Sequence, residues 1–194
     1  TANSPTNRLP KPPLFIVFEG IDGAGTTTQS SRLSLRLQQE GLDPVLTREP
    51  GGTPLAERIR HLVLDPSVGE VDFVTELLLY GASRRQHVVE LIDPTLAAGK
   101  PVISDRYAAS TVAYQGVARG LGVDLANTVN EIAVQGTLPH VTICLDLPVD
   151  LAASRRAGRA GPEDRLEQAG SSLQQAVRDA FLAMATESDQ WILI

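Results

Sequence analysis

The chain of 194 residues is 42% apolar and 21% charged, which is typical of a folded globular protein. Its net charge of −6 disfavours a surface for nucleic-acid polymers, and its single cysteine cannot form an internal disulfide, which fits a cytoplasmic location. No apolar run approaches the length of a membrane span. We therefore expect one domain at 14–194, preceded by a loosely ordered tail at 1–13 that is rich in Pro, Asn and Ser.

The first predicted strand, Phe15–Glu19, leads into a glycine-rich loop with the spacing of a phosphate-binding P-loop. Glycines let successive backbone N–H groups point at one anion, and the N-terminus of the helix predicted at Thr28–Gln39 adds partial positive charge. We predict that this loop binds nucleotide phosphates through Gly20, Ile21, Asp22, Gly23, Ala24, Gly25, Thr26, Thr27 and Thr28.

Two threonines of this loop bear directly on its chemistry. Thr27 places a hydroxyl where P-loops ligate the Mg²⁺ of the nucleotide. Thr26 stands where these loops carry a lysine, and losing one preorganised donor of this kind typically costs roughly 10²–10³ in rate. The only two lysines, Lys11 and Lys100, lie at no motif position. We therefore expect arginines to neutralise the bound phosphates.

Further apolar runs alternate with helical periodicity along the rest of the chain. The runs predict four more buried strands, at Pro44–Thr47, Val102–Asp105, Val141–Leu145 and Trp191–Ile194. This alternation predicts an α/β fold in which a five-stranded parallel sheet lies between helices as a three-layer sandwich. In such sheets the ligands bind at the carboxyl ends of the strands.

The predicted helices show identifiable start and stop signals. Thr53 and Pro54 are suited to cap and begin a helix, and a longer helix from Phe73 must break or bend before Pro94. Apolar spacing predicts one later helix through Leu125, Val129, Ile132 and Ala133, and a last helix through Leu166, Leu173, Val177, Phe181 and Met184.

Three further motifs follow the P-loop in a fixed order, at Thr47-Arg48-Glu49-Pro50-Gly51-Gly52-Thr53, at Asp105-Arg106-Tyr107 and at Ser110-Thr111-Val112-Ala113-Tyr114-Gln115-Gly116. With the P-loop, they make the sequence resemble the thymidylate kinases, which phosphorylate dTMP with ATP. The resemblance runs from about Phe15 to the C-terminus. It implies a fold like that of the P-loop nucleoside monophosphate kinases, with Mg²⁺ as cofactor, a homodimer and a role in deoxythymidine triphosphate synthesis. The family continues past its last strand with an adenine-contacting loop and a terminal helix, which we expect this sequence to lack after Ile194.

The resemblance also implies which residues hold the acceptor phosphate. Arg48 would grip the phosphate of dTMP, a task that suits a forked guanidinium, and Arg106 would lie between the acceptor and the γ-phosphate. Asp105 would either bind the Mg²⁺ shell or hold Arg106 in place. Asp22 resembles the acidic loop residue near the acceptor's sugar and phosphate.

A thymine pocket is implied by the segment Tyr80–His87. Tyr80 takes the place of the usual stacking Phe, and Arg84 takes the place of the arginine that bonds the base. The polar edge of the pocket would be formed by Ser110, Thr111 and Gln115, and Tyr114 would crowd the 2′ position and favour deoxyribose. His87 is expected to be structural.

The arginine-rich stretch 155–165 resembles the lid that closes over ATP in bacterial-type thymidylate kinases. In that type the lid supplies the catalytic arginines and the P-loop carries none. The P-loop of this sequence likewise has no arginine. The resemblance therefore assigns ATP binding to Arg155 and catalysis to Arg156 and Arg159, together with Arg48, Asp105 and Arg106.

Two other functions stay open at this point. A kinase acting on deoxynucleosides is disfavoured, because a nucleoside would leave the phosphate grips of Arg48 and Arg106 unpaired. A nucleotide-binding pseudokinase with little turnover would account for Thr26. We favour an active enzyme in which lid arginines and Mg²⁺ carry the charge, since the other motif positions are intact.

Overall fold

The computed structural model describes residues 13–158, 165, 166, 168 and 170–194. A five-stranded parallel sheet forms the centre of the fold, as predicted, with strands β1 to β5 at Phe15–Gly20, Val45–Arg48, Val102–Asp105, Val141–Leu145 and Trp191–Leu193. The strand order is β2-β3-β1-β4-β5, so the strand before the P-loop is central. The tail predicted at 1–13 lies outside the described residues except for residue 13.

Helices cover both faces of the sheet. Helices α1 to α8 span Thr26–Gln39, Pro54–Leu64, Phe73–His87, Asp93–Ala97, Ala108–Thr111, Val123–Val134, Val149–Ala157 and Ser171–Thr186. In the part of the chain that the structure describes, none of them combines the length and the apolar character that crossing a bilayer requires.

The side chains of β1 alternate between two hydrophobic layers. Phe15 and Val17 pack with residues of the segment after α3, whereas Ile16 and Phe18 pack with the apolar side of α1. This period of two follows from the pleat of a strand buried on both faces. The three-layer sandwich predicted from the sequence is therefore confirmed.

The register of the parallel strands brings the predicted site residues to one edge of the sheet. Asp105 pairs with Phe18 on one side and with Arg48 on the other. Because all five strands point the same way, the P-loop after β1 and the turn after β3 leave the sheet side by side.

Two of the later predicted helices differ from the observed ones. Leu166 lies in a turn before α8 rather than on it, because Gly170, at φ 90°, precedes the first helical residue. The helix from Phe73 loses its regular form after His87, where a π-helical turn at Val88–Ile92 carries the chain into α4 with Pro94 at its second position. The predicted change before Pro94 thus takes the form of a wider helical turn.

Gly81 provides a test of the packing between α3 and α6. A Cβ atom at Gly81 would lie 2.6 Å from Val129 Cγ1. We expect Gly81→Ala to lower the free energy of unfolding by about 1–2 kcal/mol, because overpacking outweighs the helix propensity that alanine adds. Urea unfolding followed by circular dichroism measures the loss. In the control, Gly81→Ala with Val129→Ala, the loss should be smaller than the sum of the two single losses; additivity would contradict the proposed clash.

Candidate active site

A cavity of about 670 Å³ lies at the carboxyl edge of the sheet. It is lined by the P-loop, the ends of β2 and β3, one side of α3, the segment after Arg106 and the C-terminal part of α7. It collects most of the predicted site residues: Asp22, Gly23, Ala24, Gly25, Thr26, Thr27, Thr28, Arg48, Tyr80, Arg84, Asp105, Arg106, Ser110, Thr111, Tyr114, Gln115, Arg155 and Arg156. Gly20 and Ile21 do not line it, because Gly20 ends β1 and Ile21 is buried in the core. Arg159 lies outside the described residues.

The P-loop requires glycine at positions where other residues would clash or be strained. Gly23 adopts a φ of 93°, and a Cβ atom there would lie 2.5 Å from the carbonyl oxygen of Ala152 on α7. Gly25, at φ 103°, turns the chain into α1, which begins at Thr26 rather than at Thr28 as predicted. The first turn of α1 therefore opens directly onto the cavity, the arrangement that favours an anion.

Thr27 and Asp105 form an oxygen-rich corner of the cavity. The Thr27 hydroxyl donates to Asp105 Oδ2 at 2.5 Å, while the buried Asp105 Oδ1 accepts no hydrogen bond from the described residues. An orphaned carboxylate oxygen beside a hydroxyl fits Mg²⁺, which prefers oxygen ligands and completes its shell with water and phosphate. No cluster of three or more His, Cys, Asp or Glu among the described residues offers a larger ligand set.

Arg106 connects the end of β3 to the P-loop. Its Nη1 donates to the Gly20 carbonyl at 2.6 Å, and its Nη2 donates to Asp22 Oδ1 at 2.7 Å. Of the two roles that the sequence leaves open for Asp105, the hydrogen bonds favour a place in the metal shell, since the carboxylate that holds Arg106 belongs to Asp22.

Asp22 gathers side chains from three separate segments. Besides Arg106, its carboxylate accepts from the hydroxyl of Tyr114 at 2.9 Å and from Nε2 of Gln174 at 2.8 Å. Gln174 also accepts from the backbone N–H of Asp22. The sequence does not predict this role of Gln174, because a glutamine on α8 has no motif that would place it against a loop 152 residues earlier.

Arg84 is almost completely buried, with 2% of its surface exposed. It donates to Glu49 Oε2 at 2.7 Å and, from its terminal nitrogens, to Thr111 Oγ1, Asn130 Oδ1 and the Tyr107 carbonyl. Of its five N–H donors, one on Nη2 thus has no acceptor among the described residues. Arg84 and Tyr80 both line the cavity.

Arg48 differs from Arg84 because it is half exposed. Its Nη2 donates to both carboxylate oxygens of Glu57, at 3.0 and 2.9 Å. Glu57 also accepts from the backbone N–H of Gly52. An exposed pair of this kind is weakly held, so Arg48 can exchange Glu57 for a phosphate at low cost.

Two lid arginines contact backbone carbonyls of the P-loop. Arg156 donates from Nη1 to the Asp22 carbonyl at 2.6 Å, and Arg155 donates from Nη1 to the Ala24 carbonyl at 3.4 Å. Arg165, from the same predicted lid, instead donates to the buried carboxylate of Glu76 and to the Val63 carbonyl. The structure therefore places Arg155 and Arg156, but not Arg165, beside the phosphate loop.

Two buried glutamates beside the cavity were also missed. Glu49 accepts from Arg84 and from His87, which fits the structural role expected for His87. Glu19 is fully buried, and this desolvation raises the pKa of its carboxyl to about 7 despite the opposing effect of Arg106. Glu19 ends the predicted strand Phe15–Glu19, and Glu49 follows the predicted strand Pro44–Thr47 by two residues, so the position beside a buried strand was the available signal for both.

The comparisons with known proteins agree with this geometry. A family model described as thymidylate kinase matches residues 18–194. The chain is 46% identical over 185 residues to the thymidylate kinase of Syntrophotalea carbinolica, covering 93% of this chain and 86% of that protein. The chain belongs to the thymidylate kinase family. The thymidylate kinase of Pseudomonas putida strain GB-1 is 48% identical over 177 residues, covering 91% of this chain and 84% of that protein. The crystal structure of the Ehrlichia chaffeensis thymidylate kinase matches with a TM-score of 0.74 at 34% identity, covering 95% of this chain and 93% of that one.

Membership of the thymidylate kinase family confirms the resemblance drawn from the motifs at 47–53, 105–107 and 110–116. It also confirms the predicted P-loop kinase fold, which the structural neighbour shares over nearly its whole length. The roles of the individual site residues stay predictions, although most of these residues line one cavity.

Two arginine–glutamate pairs beside the cavity of this thymidylate kinase family member, Arg84–Glu49 and Arg48–Glu57, differ in burial. We expect Arg84→Ala to lower the free energy of unfolding by about 3–5 kcal/mol, because Glu49 would stay buried without its charged partner. The matched control is Arg48→Ala, which breaks the exposed pair with Glu57 and should cost no more than about 1 kcal/mol. Urea unfolding of both variants tests the contrast, and equal small losses would show that the buried pair is dispensable.

Proposed function

We propose that the protein transfers the γ-phosphoryl group of ATP to dTMP, giving dTDP for deoxythymidine triphosphate synthesis. Its membership of the thymidylate kinase family supports this activity. The observation that carries the proposal is one cavity lined both by the P-loop and by polar and aromatic residues, in which Arg106 is hydrogen-bonded to Asp22 of the P-loop and lies 3.4 Å from Ser110 Oγ. Phosphoryl transfer needs two anions held in line and neutralised, and such a cavity supplies both positions.

The donor side consists of the P-loop and the lid arginines. Backbone N–H groups of the P-loop and the first turn of α1 would hold the β- and γ-phosphates. Arg155 and Arg156 would leave the P-loop carbonyls that they contact and turn toward the phosphates as charge accumulates there. Mg²⁺, held by Thr27 and Asp105, would supply further neutralisation of the phosphate oxygens.

The acceptor side combines a phosphate grip with a base pocket. Arg48 would release Glu57 and bind the phosphate of dTMP, while Arg106 would bridge it to the transferred group. Tyr80 would stack on thymine, and the remaining N–H of Arg84 would donate to a base carbonyl. Tyr114, fixed by its hydrogen bond to Asp22, would lie against the sugar, with Ser110, Thr111 and Gln115 nearby.

The two alternative functions receive less support. A nucleoside acceptor would offer no phosphate to Arg48 and Arg106, which both line the cavity. The pseudokinase alternative depends on Thr26 alone, and no other feature of the described residues favours it. Homodimer formation, a cytoplasmic location and a single domain at 14–194 are further parts of the proposal, drawn from the resemblance and the composition.

Measuring ADP release in a coupled assay distinguishes these functions. The purified protein would be supplied with ATP, Mg²⁺ and one of dTMP, dUMP or thymidine, with a reaction lacking an acceptor as blank. The proposal expects turnover that is fastest with dTMP. Turnover with thymidine but not with dTMP would identify a nucleoside kinase. ATP and dTMP binding without turnover would identify a pseudokinase.

Thr26→Lys tests how the phosphate charge is neutralised without the usual lysine. If Arg156 already supplies that charge, we expect Thr26→Lys to change kcat by less than about threefold, whereas Arg156→Ala should lower kcat by roughly 10²–10³ and raise the KM for ATP less. Steady-state kinetics at saturating dTMP measures both. Thr26→Val, which keeps the shape without the hydroxyl, is the control for changes at this position.

The opposite pattern would contradict compensation by the lid. A rescue by Thr26→Lys that approaches the roughly 10²–10³ expected for a restored donor, with Arg156→Ala silent, would show that the natural chain lacks a group that it needs.

A further inference from the structure

Glu19 has no assigned role, although it is one of the most buried side chains of the protein. It lies on β1, the central strand, and none of its surface is exposed. Its Oε1 accepts from the backbone N–H of Tyr107 at 2.9 Å and from that of Ser110 at 3.3 Å. Its Oε2 accepts from the Ser110 hydroxyl at 2.6 Å. Both oxygens of a buried carboxylate therefore hold the turn that follows Arg106.

The turn held by Glu19 begins directly after a strained residue. Arg106 adopts a φ of 73°, which is uncommon for a residue with a side chain. Such a conformation persists where surrounding contacts over-determine it. The backbone N–H of Arg106 is bonded to the Phe18 carbonyl, and the two N–H groups bound by Glu19 lie one and four residues after Arg106. Glu19 thus fixes the chain immediately beyond the strained position.

A short relay also joins Glu19 to the guanidinium of Arg106. Arg106 Nη1 lies 3.4 Å from Ser110 Oγ, and the Ser110 hydroxyl donates to Glu19 Oε2. Because an ionised carboxylate only accepts, it orients the Ser110 proton away from Arg106 and leaves a serine lone pair for the arginine. A protonated carboxyl can instead donate to Ser110. The serine proton is then free to point toward the N–H donor of Arg106, which weakens that contact.

We propose that Glu19 is a positioning residue for Arg106, which in its ionised form holds both the backbone and the guanidinium of that arginine for phosphoryl transfer. The inference deepens the proposed function and depends on it. Glu19 does not line the cavity, so it acts through Tyr107 and Ser110 and touches neither substrate.

The charges around Glu19 make its ionisation sensitive near neutral pH. Burial raises the pKa of Glu19 to about 7, and the opposing charges of Arg106 and Arg84 lower it in part. From the neighbouring strand β4, Cys144 faces the same region, and burial raises the pKa of its thiol to about 12, so it stays neutral. The ionised fraction of Glu19 therefore falls as the pH drops through about 7, and the positioning of Arg106 should weaken with it.

Glu19→Gln is the decisive variant, because it keeps the size of the side chain and resembles the protonated form. We expect its kcat at pH 8.5 to fall about tenfold with the KM for ATP unchanged, since only the placement of Arg106 is affected. In the wild-type protein, kcat should fall between pH 8 and 6 as Glu19 becomes protonated. This fall should be absent in Glu19→Gln. Glu40→Gln, the same chemical change in an exposed pair with Arg36, is the matched control and should keep the wild-type profile.

Ser110→Ala interrupts the relay at its middle. If Glu19 acts through Ser110, the double variant Glu19→Gln/Ser110→Ala should lose no more kcat than the worse single variant. If the fold-losses in kcat of the two single variants multiply in the double variant, Glu19 does not act through Ser110. Thermal unfolding of each variant ensures that kcat is compared well below the unfolding midpoint. A Glu19→Gln enzyme that melts earlier but keeps the wild-type kcat and pH profile would show that Glu19 serves stability alone.

Wild-type turnover in the same assay separates this proposal from the function on which it rests. A wild-type protein without dTMP kinase activity would contradict the proposed function itself. An active wild-type protein whose kcat is insensitive to Glu19→Gln would overturn only the role of Glu19.

Discussion

The ion pair between Arg106 and Asp22 joins the two loops on which the site is built. Its atoms are 2.7 Å apart, and each side chain is less than a fifth exposed. Because Asp22 belongs to the P-loop and Arg106 follows β3, the pair fixes the phosphate loop relative to the proposed acceptor pocket. Tyr114 and Gln174 donate to the same carboxylate, so the π-helical segment Val112–Ala118 and α8 are fixed to it as well.

Buried glutamates at the cavity and near it hold the surrounding arginines and turns. Glu49 holds Arg84, and Glu76 accepts from Gln115, Arg119 and Arg165. A buried carboxylate is unfavourable unless it is fully bonded, and partners of this number restrict each side chain to one orientation. The walls of the site are therefore oriented by charge-assisted hydrogen bonds, which are directional, rather than by apolar packing alone.

Local patterns in the sequence predicted much of the site. The P-loop spacing located the anion-binding turn, and the motifs around Arg48 and Asp105 were found through their resemblance to the thymidylate kinases. The pattern failed for Leu166, whose apolar spacing matches α8 although Gly170 begins the helix later. It also gave no role to Glu19 or Gln174, since their partners lie 88 and 152 residues away along the chain.

The sequence by itself therefore determined the strands, the P-loop, the parallel sheet and the kinase family, because these depend on local periodicity and on motifs of fixed spacing. Only the tertiary structure decided the partners of each charge: that Arg106 pairs with Asp22 rather than Asp105, that Arg84 is buried on Glu49, and that Arg156 contacts the P-loop. The physical reason is that hydrogen bonds and desolvation act over a few ångströms between segments far apart in the chain. Their pairing is set by strand order and register, which no single segment encodes.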